Sequence, residues 1–207
     1  MEDSFGRDVV AGLWASDDEA LAALVRPTRW TTVNAIENDR RVVPAAAGIY
    51  GWWFDTPPPG VPLQNAMQSD GRYWLYVGVA GGRAGSKRTL RRRITNHVRG
   101  PVRVSTLRRT LAALLSESLG LDIVRSESGK ALLGPEDETR LTSWMNDHMQ
   151  VTWIKHERPR VLEERLLQSE PGLPLNILGS IHPFAGELRR RRAACFRRAG
   201  PAQTSTR

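Results

Sequence analysis

Two short apolar runs rich in aromatics, residues 47–54 (AGIYGWWF) and 73–80 (YWLYVGVA), constrain the fold more than any other feature of the chain. Aromatic and β-branched side chains in runs of this length suit pleated strands. Pro57-Pro58-Pro59-Gly60 lies between them and can continue neither. Most of the remaining pattern has a helical period. Ser16 before Asp17-Asp18-Glu19 is a capped helix start, and the helix is expected to reach about Val25. Residues 26–46 read as irregular. Leu90, Ile94 and Val98 mark a helix over 89–99; Leu107, Leu111, Leu114 and Leu115 mark another over 105–118. Pro135, followed by Glu136, Asp137 and Glu138, opens a further helix, and Pro159 opens one that runs to about Ser169. Residues 121–124 and 150–155 read as strands, and 187–198 as a basic helix before a tail expected to be disordered after Gly200. The predicted fold class is α+β, with few strands and many helices.

The charge is segregated along the chain. The 207 residues carry a formal net charge of +8. Residues 71–116 hold 11 Lys/Arg and no acid, and residues 188–207 hold seven Arg and no acid. Those segments contain 18 of the 30 basic residues, which leaves 12 basic against 22 acidic residues elsewhere, a net of −10. Such segregation predicts a face for polyanions. Nucleic acid is favoured over membrane, because neither segment has a broad apolar face with Trp or Phe. The single cysteine, Cys195, rules out an internal disulfide and fits a reducing cytoplasm. No apolar stretch has the length of a membrane span, and the acidic N-terminus lacks a signal-peptide pattern.

Some chemistries are excluded by spacing. Residues 81–89 lack the Gly-Lys-Ser/Thr ending of a phosphate loop, because Ser86 separates Gly85 from Lys87. His97, His148, His156, His182 and Cys195 have no zinc spacing. Two helix faces say more. With about 100° per residue and Leu90 at 0°, Ile94 and Val98 form a buried ridge. Arg93 and His97 fall beside it at roughly 300° and 340°, while Arg91, Arg92 and Arg99 point towards solvent. Arg93 is then either an edge arginine snorkelling over the core or a cation aimed along the protein body. After Pro159, residues Leu162, Leu166 and Leu167 define an apolar face. Glu163 lies about 50° from its centre and Glu164 about 150° away. Glu163 is either an ordinary salt-bridge partner or a carboxylate that holds a divalent cation.

An ordered series of short motifs gives these residues a context. Val43-Pro44 with Gly48-Ile49-Tyr50 comes first, then Tyr76-Val77-Gly78, then the helix carrying Arg93 and His97. Leu162-Glu163-x-x-Leu166-Leu167 and Pro174-Leu175-Asn176 follow. Each is weak alone; five in order over residues 43–176 resemble the GIY-YIG nuclease superfamily. The 26 residues from Tyr50 to Tyr76, the Gly-rich loop before Arg93 and an insertion over 100–150 set the chain closer to restriction-type or stand-alone bacterial members than to compact repair-type domains. The spacing to Asn176 is one residue long from Glu163 and better from Glu164; the helical face favours Glu163.

The resemblance implies a small, mainly antiparallel sheet flanked by helices. Residues 1–41 would form an N-terminal helical extension, 42–178 the nuclease domain with a helical insertion at about 100–150, and 179–207 a basic C-terminal helix and tail. It also implies hydrolysis of phosphodiester bonds in DNA, expected as duplex, with one Mg²⁺ (or Mn²⁺) on Glu163 or, alternatively, Glu164. The implied catalytic residues are Tyr50, Tyr76, Arg93, His97, Glu163 and Asn176. Tyr50 would take a proton from the attacking water, helped by His97 and nearby positive charge. Arg93 would pair with the scissile phosphate, Tyr76 would orient water or phosphate, and Asn176 would fix local geometry or touch substrate. Backbone phosphates would meet Arg83, Lys87, Arg88, Arg91, Arg92, Arg99, Arg108, Arg109, Arg189 and Arg190. Trp52 and Trp53 are expected in the core rather than stacked on bases. The expected location is the cytoplasm, with nucleoid association when bound to DNA. Two other readings stay open: a DNA-binding protein on an inactive nuclease scaffold, and a nuclease for RNA or structured single strands.

Overall fold

Strand β2 (Gly48–Phe54) runs through the middle of the protein, and all seven of its residues are buried. A strand covered on both faces must be apolar at odd and even positions alike, as this one is. It pairs antiparallel with β4 (Arg72–Ala80) on one side and β7 (Met149–Lys155) on the other. Beyond β7 lies β1 (Thr31–Thr32), and beyond β4 lies β3 (Gln68–Ser69). The result is a five-stranded antiparallel sheet in the order β1-β7-β2-β4-β3. These elements come from a computed structural model that describes residues 16–82, 86–126, 130–169 and 172–198. Arg83, the first 15 residues and the segment after Gly200 lie outside the described residues.

Helices cover both faces of the sheet. On one face, Ile49 and Trp53 of β2 pack with α1 (Asp17–Val25) through Ala20 and Leu24, and with α6 (Pro159–Leu167) through Leu162 and Leu166. Trp53 stacks on Trp74 at 5.7 Å and 11°, and its indole N–H donates to Thr152 Oγ1 at 3.0 Å. On the other face, Tyr50, Trp52 and Phe54 meet α3 (Leu90–Val98), α4 (Thr106–Leu115) and α5 (Pro135–His148). Both Trp52 and Trp53 are fully buried, as core residues.

Most predicted elements are present. The region 26–46 is not irregular: it contains β1, a short helix α2 (Val33–Asn38) and a 3-10 turn at Arg40–Val42. Thr32 caps α2 by accepting from the Ala35 N–H at 3.2 Å, and Val33 and Ile36 are buried. A two-residue strand and a six-residue helix are too short to show a period. The region 100–150 is helical with one addition, a hairpin of β5 (Ile123–Arg125) and β6 (Ala131–Leu133). The last helix, α7 (Phe184–Arg198), packs on α4 and sends Phe184 and Leu188 into the same core. Among the described residues no helix is long and apolar enough to cross a membrane.

Arg108 corrects one expectation about the basic segment. It is 1% exposed and does not present its charge to a ligand. Its guanidinium donates to Glu138 Oε2 at 2.7 Å, Thr142 Oγ1 at 3.0 Å and the Val98 carbonyl at 3.0 Å. It therefore ties α4 to α5 and to the end of α3, a buried cation whose two terminal nitrogens are committed to protein partners.

Candidate active site

Tyr50 occupies the centre of β2, directly opposite Gly78 of β4. This pairing requires a glycine, because a Cβ on Gly78 would collide with the Tyr50 hydroxyl. A Cβ on Gly48 would strike the Ile154 carbonyl of β7. Gly78 of the second motif thus clears the space for the Tyr50 ring end, and Gly48 of the first lets β7 and Leu90 approach β2 closely.

The Tyr50 hydroxyl is 2.7 Å from His97 Nε2, and both residues are fully buried. His97 arrives there because it flanks the Leu90–Ile94–Val98 ridge of α3, a helix started by Thr89 accepting from the Arg92 N–H. The other ring nitrogen, Nδ1, lies 2.8 Å from Ser105 Oγ. Ser105 also caps α4, accepting from the Arg108 N–H at 3.1 Å. Tyr76 and Trp52 meet the imidazole edge-on at 5.9 and 6.2 Å between centroids. Burial, with the charges of Arg93 and Arg108, lowers the His97 pKa to about 3, so the ring is neutral near pH 7.

Charged groups surround the tyrosine pair. Burial and the neighbouring Tyr76 push the Tyr50 hydroxyl far above its ordinary range, while Arg93 pulls it back. Arg93 acts on that hydroxyl electrostatically and is half-buried. Tyr76 is raised to about 12 by burial, against the pull of Arg93 and, more weakly, Arg192 and Arg109. Glu163 is half-buried and bears on both tyrosines; burial raises its carboxyl, and Arg160 and Arg93 oppose that. Glu164, the alternative ligand, is exposed. Five of the six residues expected in catalysis, Tyr50, Tyr76, Arg93, His97 and Glu163, are thus electrostatic neighbours.

Asn176 has a different position. Its Oδ1 accepts from the Val77 N–H at 2.9 Å and its Nδ2 donates to the Val77 carbonyl at 2.9 Å. Leu175 N–H reaches the Leu75 carbonyl at 3.0 Å. The 173–177 loop therefore closes the free edge of β4 past its short pairing with β3. The Asn176 amide substitutes for a peptide group of a missing strand.

The model that describes the GIY-YIG catalytic domain matches residues 48–194. The chain belongs to the GIY-YIG family. That family is a nuclease-type fold, which implies a nucleic-acid substrate, and its nucleases generally use divalent metal ions. No curated protein and no solved structure matches the chain. The matched region begins at the first tyrosine motif and runs into α7, so it takes in every residue of the cluster above.

In this GIY-YIG domain the donor set fits one small divalent cation and no all-protein cage. Among the described residues no three His, Cys, Asp or Glu side chains group together. A single carboxylate completed by water and phosphate oxygens suits a small, hard divalent cation. Of the basic residues expected to grip phosphates, Lys87, Arg88, Arg92, Arg99 and Arg189 are exposed. Arg91 is half-buried and gives its Nε to the Val43 carbonyl at 2.8 Å. Arg190 pairs with Glu187 at 2.9 Å. Arg109 is half-buried.

Two residues of this environment were not singled out from sequence. Ser105 was hidden because a capping serine is ordinary. Arg192 was submerged in a run of four arginines. The wheel used for Arg93 would have found it: with Phe184 at 0°, Leu188 falls at about 40° and Arg192 at about 80°, on the buried side of α7.

Proposed function

We propose that the chain is a metal-dependent endonuclease that hydrolyses phosphodiester bonds in duplex DNA, with Tyr50, Tyr76, Arg93, His97 and Glu163 as catalytic residues and Asn176 as the residue that positions Tyr76-Val77-Gly78. The observation that carries this reading is the buried Tyr50–His97 contact at 2.7 Å with Arg93 and Glu163 in electrostatic reach. A tyrosine paired to a histidine and held beside a lone arginine and carboxylate has no evident structural purpose. It has an evident chemical one.

Tyr50 accepts the proton of the attacking water. An ordinary tyrosine needs about 3 pKa units of help to do so at pH 7, roughly 4 kcal/mol, and burial increases that requirement here. The neutral His97 supplies a hydrogen bond and no charge. Ser105 Oγ accepts from the Arg108 N–H and still has its own proton to give to His97 Nδ1. In that tautomer the ring proton sits on Nε2 and points at the Tyr50 oxygen, where it stabilises a phenolate. Arg93 adds positive charge to the phenolate and holds the scissile phosphate. Glu163 is the residue that would hold the cation. When bound, the cation supplies positive charge against the negative charge that develops on the phosphate oxygens. Cytoplasmic DNA, with nucleoid association when bound, is the proposed setting.

Nicking of supercoiled plasmid with Mg²⁺ and with EDTA tests the reading. Metal-dependent nicking should disappear in Tyr50→Phe and in Glu163→Ala; full activity in both variants would refute the site. A panel of matched duplex, single-stranded, forked and RNA oligonucleotides tests the duplex assignment. The complete burial of Tyr50 also favours a second reading, a DNA-binding protein on an inactive scaffold. That reading requires wild-type protein to bind DNA and cut none of the panel with any divalent metal.

A further inference from the structure

The basic helix α7 is not uniform. Glu187 takes both Arg190, at 2.9 Å, and Arg191, at 2.8 Å. Arg191 also lies over the Phe184 ring at 5.5 Å. Arg192 turns the other way, inwards and half-buried, towards α4. There it meets Arg109, which is also half-buried. A cavity of about 290 Å³ opens at this point, lined by Arg109, Ile177, Arg189, Arg192 and Ala193. Three of its five lining residues are arginines and none is acidic. Ile177 directly follows the Asn176 that clamps Val77, so the cavity adjoins the Tyr76 segment.

The two inward arginines are short of partners. The polar contact of Arg109 is a long one to Thr106 Oγ1 at 3.4 Å, and its Nε is buried with no acceptor. Among the described residues neither Arg109 nor Arg192 makes an ion pair. Bringing two like charges together out of water is costly unless an anion joins them. Arg192 registers that strain: burial and Arg109 lower its guanidinium to about 10. Arg108 is the contrast one residue away: its Nε also lacks an acceptor, but its terminal nitrogens are paired, one of them with Glu138 in an ion pair.

We infer that Arg109 and Arg192, with Arg189 at the rim, form an anion subsite that takes a backbone phosphate of the substrate beside the one held by Arg93. The inference rests on the nuclease reading above and adds to it. The preferred substrate is a chain carrying a phosphate beyond the scissile one, and α7 is part of the active-site surface. Paired planar guanidinium groups suit the oxygens of a phosphodiester better than lysines would.

The test measures binding of a fluorescent duplex of roughly 20 base pairs in EDTA across a salt series. Arg109→Gln and Arg192→Gln should each weaken binding about tenfold and reduce the salt slope by about one. Each should leave unfolding in urea unchanged or raise stability, because it removes a like-charge contact. Arg26→Gln, exposed at the end of α1, is the control and should change neither quantity. In cleavage, both variants should raise KM for the duplex by a larger factor than KM for a small phosphodiester, bis(p-nitrophenyl) phosphate. Unchanged duplex binding in both variants overturns the inference, as does a loss of stability without a loss of binding. If about 10 mM inorganic phosphate stabilises wild type but neither variant, while duplex binding is unaffected, the pair takes free phosphate and the chain-phosphate assignment fails. Wild-type protein that neither binds nor cuts any nucleic acid refutes the nuclease reading itself, a different result from a wild type that cuts while the variants cut equally well.

Discussion

The two faces of β2 are built from the same seven buried residues and have opposite consequences. Towards α1 and α6, Ile49 and Trp53 meet Trp74, Leu162 and Leu166, and the indole N–H of Trp53 is used up on Thr152. Towards α3, Tyr50 places its hydroxyl against a histidine that Ser105 in turn holds. Burial does not distinguish the faces, since Tyr50 and Trp53 are equally inaccessible. Hydrogen-bond accounting does. Trp53 ends in a closed pair, whereas Tyr50 begins a chain through His97 to Ser105 and lies in the field of Arg93 and Glu163. Glu163 comes from α6, the helix covering the packing face, so the site forms where the two layers meet.

The sharpest way to break this contrast is one substitution on each face. Tyr50→Phe should lower cleavage by about 10²–10⁴-fold, the range for a positioned acid or base, and cost only about 1 kcal/mol in urea unfolding. Trp53→Ala should do the reverse. It should destabilise by about 3–5 kcal/mol, and the molecules that remain folded should keep their activity per molecule. If the two variants lose activity in proportion to lost stability, the faces do not differ and Tyr50 is a core residue.

Asn176 lies between these extremes and should behave as a positioning residue. Asn176→Ala strands the N–H and carbonyl of Val77, two buried groups at about 1–3 kcal/mol each, so a loss of about 2–6 kcal/mol is expected. Asn176→Asp keeps the acceptor for the Val77 N–H and turns a negative oxygen on its carbonyl. It should be no better than alanine. An aspartate as stable and as active as wild type would show that the amide is not closing the β4 edge.

The layout of the site was legible where function coincides with helical geometry. Arg93 and His97 flank an apolar ridge, and Glu163 but not Glu164 lies at the edge of one, so the wheel alone separates inward from outward groups. Legibility failed where charge was read by segment instead of by face. Arg108 follows Leu107 and lies only about 20° from Leu115 on the wheel, which places it inside, yet in a run of eleven cations it read as surface. Arg192 likewise read as one of four consecutive arginines for backbone phosphates, with its inward face unread. The edge strand β1 and helix α2 were not legible because two and six residues carry no period. The role of Asn176, fixing local geometry or touching substrate, came from the resemblance alone; no spacing points to its partner Val77, which is 99 residues away.

The smallest expected effect concerns the histidine that links the faces of this comparison. His97 is met by Tyr50 from β2, Tyr76 from β4, Arg93 on its own helix and Arg108 from α4. None of these is a carboxylate, so nothing nearby rewards a proton on the ring. Its pKa falls from 6.5 in an open chain to about 3 in the fold. Because the folded value is the lower one, the unfolded chain binds the extra proton first. Stability from this residue is therefore complete above pH 6.5 and lost as the pH falls towards 3. Between about pH 7.5 and 5 the loss amounts to about 2 kcal/mol. Urea unfolding at both pH values should show wild type losing that much more than His97→Gln, whatever the variant's absolute stability. Equal losses in the two proteins would mean that the ring is protonated in the fold at pH 5, and an imidazolium there would need an anionic Tyr50 beside it already.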